Sequence, residues 1–207
     1  MLKDVGIYIF AALLALFFIL YIRLFDNVLV ISPGMEPKLI PGDYVLVLTT
    51  SYGIHIHILS MVIRTDDPER GDIVFFTHKQ EDSDDGNLRS ILRVVGLPGE
   101  RVEITDKIVD INGHRLHEDY VSIEDDKTYP QDLLPRDNFG PVYVPEDQYF
   151  LLGDNRDVCS DGRFFGFVKR EEIDGKVILI YWSRDFSTGV FSNIRWERIG
   201  FFLKNTD

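Results

Sequence analysis

Hydrophobic and polar positions divide the chain into two unlike parts. Val5 to Ile22 reads VGIYIFAALLALFFILYI, eighteen residues without a charge and apolar on every helical face. At 1.5 Å per residue this is about 27 Å of helix, close to the ~30 Å hydrocarbon core of a bilayer. A buried core helix is usually shorter and amphipathic. A cleaved signal peptide has a shorter apolar stretch and a small-x-small cleavage site, which the following RLFDNVLV does not offer. The pattern predicts a retained transmembrane anchor within residues 1–26. Its orientation signal is weak, because Lys3 and the amino terminus face only Arg23.

The remainder reads as strands. Val28–Ile31, Tyr44–Leu48, Asp72–Phe76, Ile91–Val95, Tyr149–Leu152 and Lys176–Trp182 are short β-rich runs. Val102–Ile111 and Arg115–His117 flank Asn112-Gly113, the strongest short hairpin signal in the chain. No long amphipathic helix is expected after residue 26. The fold class is mainly β: an N-terminal transmembrane helix, then antiparallel sheets coiled into a barrel-like body over residues 27–207. Residues 101–144 read as an inserted subdomain remote from any reactive site, with the body resuming at Pro145 and Trp196 packing back on it. His78–Arg89 and Glu118–Gly140 read as solvated loops. Calcium binding by Asp82, Asp84 and Asp85 is a sharper alternative, but the spacing does not fit an EF-hand loop. Tyr52–Ile63 (YGIHIHILSMVI) is either a packed strand pair or a strip that dips into the bilayer.

Composition narrows the function. Hydrophobic residues make up 45% and charged residues 27%, a folding composition. The formal charge is −12, and Lys3, Arg23, Asp4 and Asp26 cancel within residues 1–26, so all of it belongs to residues 27–207. Such a surface repels phosphate backbones and argues against nucleic acid as a partner. The single cysteine, Cys159, excludes an internal disulfide and a cysteine-rich zinc site. No metal or other cofactor is expected.

Four segments must be read together. They are Ser32-Pro33-Gly34-Met35-Glu36-Pro37, then Arg70-Gly71-Asp72-Ile73-Val74-Phe75-Phe76, then Leu92-Arg93-Val94-Val95-Gly96-Leu97-Pro98-Gly99-Glu100, and finally Gly153-Asp154-Asn155-Arg156-Asp157 through Asp161-Gly162-Arg163 to Phe165-Gly166. In this order and behind an anchor, they resemble the type I signal peptidases of bacteria, from the anchor to about Trp182. The resemblance implies a serine protease tethered to the cell membrane by a single pass, with its main domain outside the cytoplasm. Such a protein removes signal peptides with a Ser/Lys dyad, the lysine acting as general base in an apolar setting. The serine stands immediately before the methionine of the first segment, and the lysine immediately before the arginine of the third.

This chain departs at both places. Gly34 precedes Met35 and Leu92 precedes Arg93, so neither a nucleophile nor a proton acceptor is present there. Ser32 matches an oxyanion-hole serine of the family and would need a shift past Pro33 to attack. Arg93 stays protonated and cannot be the base. The histidines at 55, 57, 78, 114 and 117 lie outside the four segments. Cys159 matches a serine that hydrogen-bonds the family's lysine, and no activating base accompanies it. Gly162 replaces a further common serine. The resemblance makes Met35 and Pro37 part of the substrate groove. It makes Arg93 with Asp154, and Asp161 with Arg163, bracing pairs, with Asn155 and Arg156 completing the motif.

Three functions remain open. The leading one is a catalytically inactive, membrane-bound binding or assembly factor. It would hold signal peptides, exported polypeptides or surface-fibre subunits by strand addition. The second is an active signal peptidase with a non-standard nucleophile or base. The third is a structural partner of an active paralogue in the same membrane.

Overall fold

The structure, a computed structural model, describes residues 2–56, 61–63, 65–79, 87–186 and 193–203; side chains are described at 6–18, 21, 24–53, 65–78, 89–186 and 193–203. The chain opens with α1 (Leu2–Leu24), which runs directly into β1 (Phe25–Leu29). Then follow β2 (Asp43–Leu48), β3 (Ile54–Ile56), β4 (Met61–Ile63), β5 (Ile73–Lys79) and β6 (Asn87–Gly96). Next come β7 (Arg101–Thr105), β8 (Ile108–Ile111), β9 (His114–Arg115), β10 (Phe139–Tyr143) and β11 (Gln148–Leu152). A one-turn helix α2 (Gly162–Phe165) precedes β12 (Val168–Lys169), β13 (Ile173–Ser183) and β14 (Phe201–Phe202).

Among the described residues, the strands pair antiparallel in three sheets. The large one has the order β1-β2-β13-β5-β6-β11-β12, with β14 on β13. The second has the order β10-β7-β8-β9, and β3 pairs with β4 alone. Successive strand side chains point to opposite faces, and β6 and β11 use both. Leu92, Val94 and Leu151 enter one buried cluster with Val45, Val47, Val74, Phe76 and Met35. Val95, Phe150 and Leu152 enter another with Val102, Ile104, Val109 and Ile111 from the second sheet. Thus Leu151 is buried on one side of β11 and its two neighbours on the other, which is why that segment is apolar without a break.

The antiparallel sheets of the expected barrel-like body are present, and among the described strands the large sheet ends at β1 and β12. Several expectations change. Val102–Ile111 is a hairpin, not one strand. Asp106 and Lys107 both take positive φ (49° and 69°), the backbone of a two-residue turn, without the glycine that usually marks one. The Asn112-Gly113 turn between β8 and β9 is present, with φ of 53° and 80°. The expected loop at His78–Arg89 gives up both ends to β5 and β6, which pair as far as Lys79 with Asn87. Asp82, Asp84 and Asp85 lie outside the described residues, as do the side chains of the 54–63 strip. Trp196 touches the Trp182 ring edge-on at 6.1 Å but stays 68% exposed, so it sits on the surface instead of closing over the body.

Among the described residues, no helix is long and apolar enough to cross a membrane. The expected anchor, Val5–Ile22, includes side chains at 5, 19, 20 and 22 that lie outside the described residues.

Candidate functional site

The first segment forms a short 3-10 turn, Pro33–Met35, straight after β1. Ser32 caps it, its Oγ accepting from the Gly34 N–H at 3.2 Å. Leu39 N–H then bonds the Met35 carbonyl at 2.8 Å, which turns the chain inward and buries Met35. Pro37 stays on the surface side, in the wall of two cavities.

Gly34 is held from two directions. Its carbonyl accepts from Asn155 N–H at 3.0 Å. A Cβ placed on it would lie 2.7 Å from the Cys159 Sγ, nearer than carbon and sulfur approach without a shift. On the other side of the thiol, a Cβ on Gly153 would lie 2.3 Å from the same sulfur. Cys159 is therefore wedged between two glycines. Burial, then the nearby Asp161 carboxylate, push its thiol up to about 12, so it is protonated at neutral pH and is a poor nucleophile. Leu92 is 1% exposed and belongs to the same buried cluster as Met35 and Cys159.

One residue on, β6 turns a charge into the interior. Arg93 is fully buried and clamps Asp154 with both arms, Nε to Oδ1 at 2.7 Å and Nη2 to Oδ2 at 2.6 Å. Its Nη1 donates to the Gly71 carbonyl at 2.8 Å, and the Tyr120 ring covers the guanidinium at 3.9 Å. Burial raises the Asp154 carboxyl above its ordinary range, and the Arg93 hydrogen bonds oppose that rise. A second fork repeats the arrangement. Asp161 caps α2 and accepts both Nε and Nη2 of Arg163 at 2.8 Å, and also the Gly153 N–H at 3.0 Å. Arg163 also donates to the carbonyls of Arg156 and Arg136. Arg156 donates from Nε to the Gly153 carbonyl at 2.9 Å and pairs with Glu118. Burial works against its charge, but Glu118 reverses the balance and raises its pKa. These pairs bind the turn, β6 and the 153–163 segment into one frame.

The segment 118–126 completes that frame, although the sequence reads it as a solvated loop and its parent region as remote. Ser122 pairs with Asn155 as a parallel bridge: Ser122 N–H bonds the Asp154 carbonyl at 2.8 Å and Arg156 N–H bonds the Ser122 carbonyl at 3.1 Å. Asn155 Nδ2 donates to Glu124 at 2.6 Å. Asp157 accepts the N–H groups of Glu124 and Asp125, and Lys107 Nζ joins Asp125 to Asp157 at 3.0 and 2.8 Å. Arg136 adds bonds to Asp125 and Asp137. We call this segment the strap. Lys107, Glu118, Tyr120, Ser122 and Arg136 are site residues that the sequence leaves unmarked, and Asp157 stands in the fourth segment without a role assigned to it there. The partners of Lys107 lie 18 and 50 positions away and that of Glu118 lies 38 away, so no local pattern marks them. The one available signal is charge: acids of 118–126 face the basic residues at 107, 136 and 156.

Of the histidines, His78 stands 3.2 Å from Glu172 and against Phe165, while His114 and His117 are exposed on or beside the second sheet. The side chains of His55 and His57 lie outside the described residues. Among the described residues, no cluster of three or more His, Cys, Asp or Glu side chains could hold a metal ion.

Comparison with known proteins places this frame. A family profile described as "Signal peptidase, peptidase S26" matches residues 2–182. The chain is 34% identical over 155 residues to a probable signal peptidase I-2 of Synechocystis sp., covering 73% of this chain and 60% of that protein. It is 32% identical over 201 residues to signal peptidase I of Pseudomonas fluorescens, covering 81% and 69%. Signal peptidase I P of Bacillus subtilis subsp. natto is 29% identical, with 84% and 88% covered. A crystal structure of a signal peptidase I from Enterococcus faecalis matches at 37% identity, covering 54% of this chain and 97% of that one, with a TM-score of 0.40. By the extent of the profile and the identity to these relatives, the chain belongs to the signal peptidase, peptidase S26, family.

Proposed function

We propose that this protein is a membrane-anchored signal peptidase relative that holds extended segments of exported polypeptides without cutting them. The observation that carries the reading is Gly34, without a side chain and packed on Cys159, where the resemblance puts the nucleophile. Leu92, buried in an apolar cluster where the resemblance puts the base, adds no proton acceptor. The two groups nearest in kind are otherwise engaged. Ser32 Oγ caps the turn and the Cys159 thiol is protonated. Holding a peptide by strand addition needs backbone groups and shape only. Ile31, just past the end of β1 and 79% exposed, marks an edge that an extended peptide can join.

The anchor in this reading is α1. Its 23 residues span about 35 Å. Ile7, Tyr8, Ile9, Phe10, Phe17 and Phe18 stand more than half exposed, as lipid-facing side chains would. The β body then lies outside the cytoplasm. Signal peptides, surface-fibre subunits and an active paralogue are the partners we have in view.

A second reading has support of its own, because the relatives above are named as signal peptidases. The full chain in detergent, incubated with a preprotein carrying a small-x-small site, separates the two. No turnover is expected. Turnover that disappears with Ser32→Ala overturns the holding reading. Holding itself is read by a photoreactive side chain at Ile31, which should crosslink an extended peptide of small apolar residues. Gly34 is the wrong place for that group, given the thiol beside it.

A further inference from the structure

The strap does more than brace the frame. Its outer face, with Pro37 opposite, encloses a cavity of about 400 Å³. Ile180 and Phe201 line its apolar side, and Tyr120 and Pro37 add to it. At the rim stand Asp119 and Glu197, both exposed and neither hydrogen-bonded nor ion-paired among the described residues. Of the two basic groups there, only Arg198 has a carboxylate partner among the described residues, so the two rim carboxylates outnumber the one unpaired cation, Lys38. Arg198 is tied to Asp43 at 2.6 Å, and the Lys38 ammonium lies over the Phe201 ring at 5.3 Å. A second cavity of about 450 Å³ continues past Pro37 and is lined by Ser122 of the strap and by Glu36, a third unpaired carboxylate. Both cavities lie beside the turn that carries Gly34, whose carbonyl reaches the strap through Asn155 and Ser122.

We propose that this cleft binds a further stretch of the same exported polypeptide, one carrying an apolar side chain next to a basic residue. The inference rests on the holding reading above. The apolar wall takes the first side chain, and the unpaired carboxylates complement the second. The strap is then a specificity wall: its backbone bridge fixes Tyr120 and Asp119 at a set distance from Pro37, and its sequence decides which polypeptides fit.

The test uses the full chain in detergent and a labelled twelve-residue peptide with one leucine flanked by two lysines. Its control carries glutamates in place of the lysines. Asp119→Asn with Glu197→Gln should weaken binding of the lysine peptide about fivefold, as expected for two partly screened charges, and should not weaken binding of the glutamate control. Both substitutions are at exposed positions and leave the frame intact. Equal binding of the lysine peptide by parent and variant overturns the proposal. A photoreactive group at Asp119 that captures a second copy of this chain, or lipid, overturns it too. Capture from Ile31 without capture from Asp119 sinks the cleft and spares the holding reading. Capture from Asp119 alone supports the cleft and sinks the groove beside Gly34. Capture from neither sinks both.

Discussion

At Gly34 two residues share the room of one side chain. Adding a hydroxymethyl group there meets the Cys159 sulfur at 2.7 Å. Gly34→Ser alone should therefore lose about 1–3 kcal/mol of stability, as overpacked cores do. Cys159→Ala should return most of it, because the remaining methyl sits near ordinary contact distance. A double-mutant cycle by urea unfolding reads this coupling, and simple additivity would show the contact to be slack. It follows that an attempt to install a Ser/Lys pair with Gly34→Ser and Leu92→Lys needs Cys159 to change as well. Cys159 also reports through its thiol. With the folded pKa raised from 9.0 to about 12, folding favours the protonated form. That contribution is complete below pH 9 and fades as pH climbs toward 12. Cys159→Ala should flatten the alkaline fall in stability over that window, measured as Tm against pH. An unchanged slope would mean that the thiol is not held protonated. Arg93 is the opposite case, a charge that cannot be left alone. Arg93→Met strands the Asp154 carboxylate and should cost about 3–5 kcal/mol in urea unfolding.

Among elements, the strap is the one that reading by pattern misjudges. Asn112-Gly113 announces its hairpin, because its backbone needs residues tolerant of positive φ. Asp106-Lys107 makes the preceding turn with no such sign. Polar, proline-containing residues 118–140 look solvated, yet Glu118, Tyr120 and Ser122 are pinned to β6 and the 153–163 segment by bonds between distant positions. Periodicity reports which face of an element is buried; it carries nothing about an irregular segment held by paired charges. The motifs themselves were legible, since Arg93 with Asp154 and Asp161 with Arg163 pair as the resemblance implies. Lys107→Met tests the strap at its clamp. Amide exchange at Ser122, whose N–H is bonded to Asp154, should accelerate at least tenfold, while exchange in β11 stays unchanged. Uniform acceleration would mean that Lys107 serves global stability instead. Acid should act in the same direction. The Asp157 carboxyl is lowered by Lys107 and the strap N–H groups against an opposing effect of burial. Its contribution is present above the ordinary value of 3.8 and is lost as pH falls through the lower folded value.

For the whole molecule, the proposed reading assigns α1 and the sheets two kinds of attachment. The −12 charge sits on residues 27–207 and opposes adhesion to anionic lipid, so in the proposed reading membrane retention falls to α1. The full chain should remain in the membrane pellet after alkaline carbonate extraction, and release into the supernatant would remove the anchor from the proposal. The double use of β6 and β11 also ties the two large sheets into one body, since each contributes side chains to both buried clusters.

Lys107 occupies a backbone conformation, φ 69°, in which glycine or asparagine would rest more easily. It remains a lysine whose amine ends between Asp125 and Asp157. The usual recipe for improving a tight turn would put glycine there and relieve the local strain, yet it would also release the wall of the cleft. Local comfort and long-range order thus pull in opposite directions at one residue. An engineer seeking a sturdier hairpin would obtain a looser binding site.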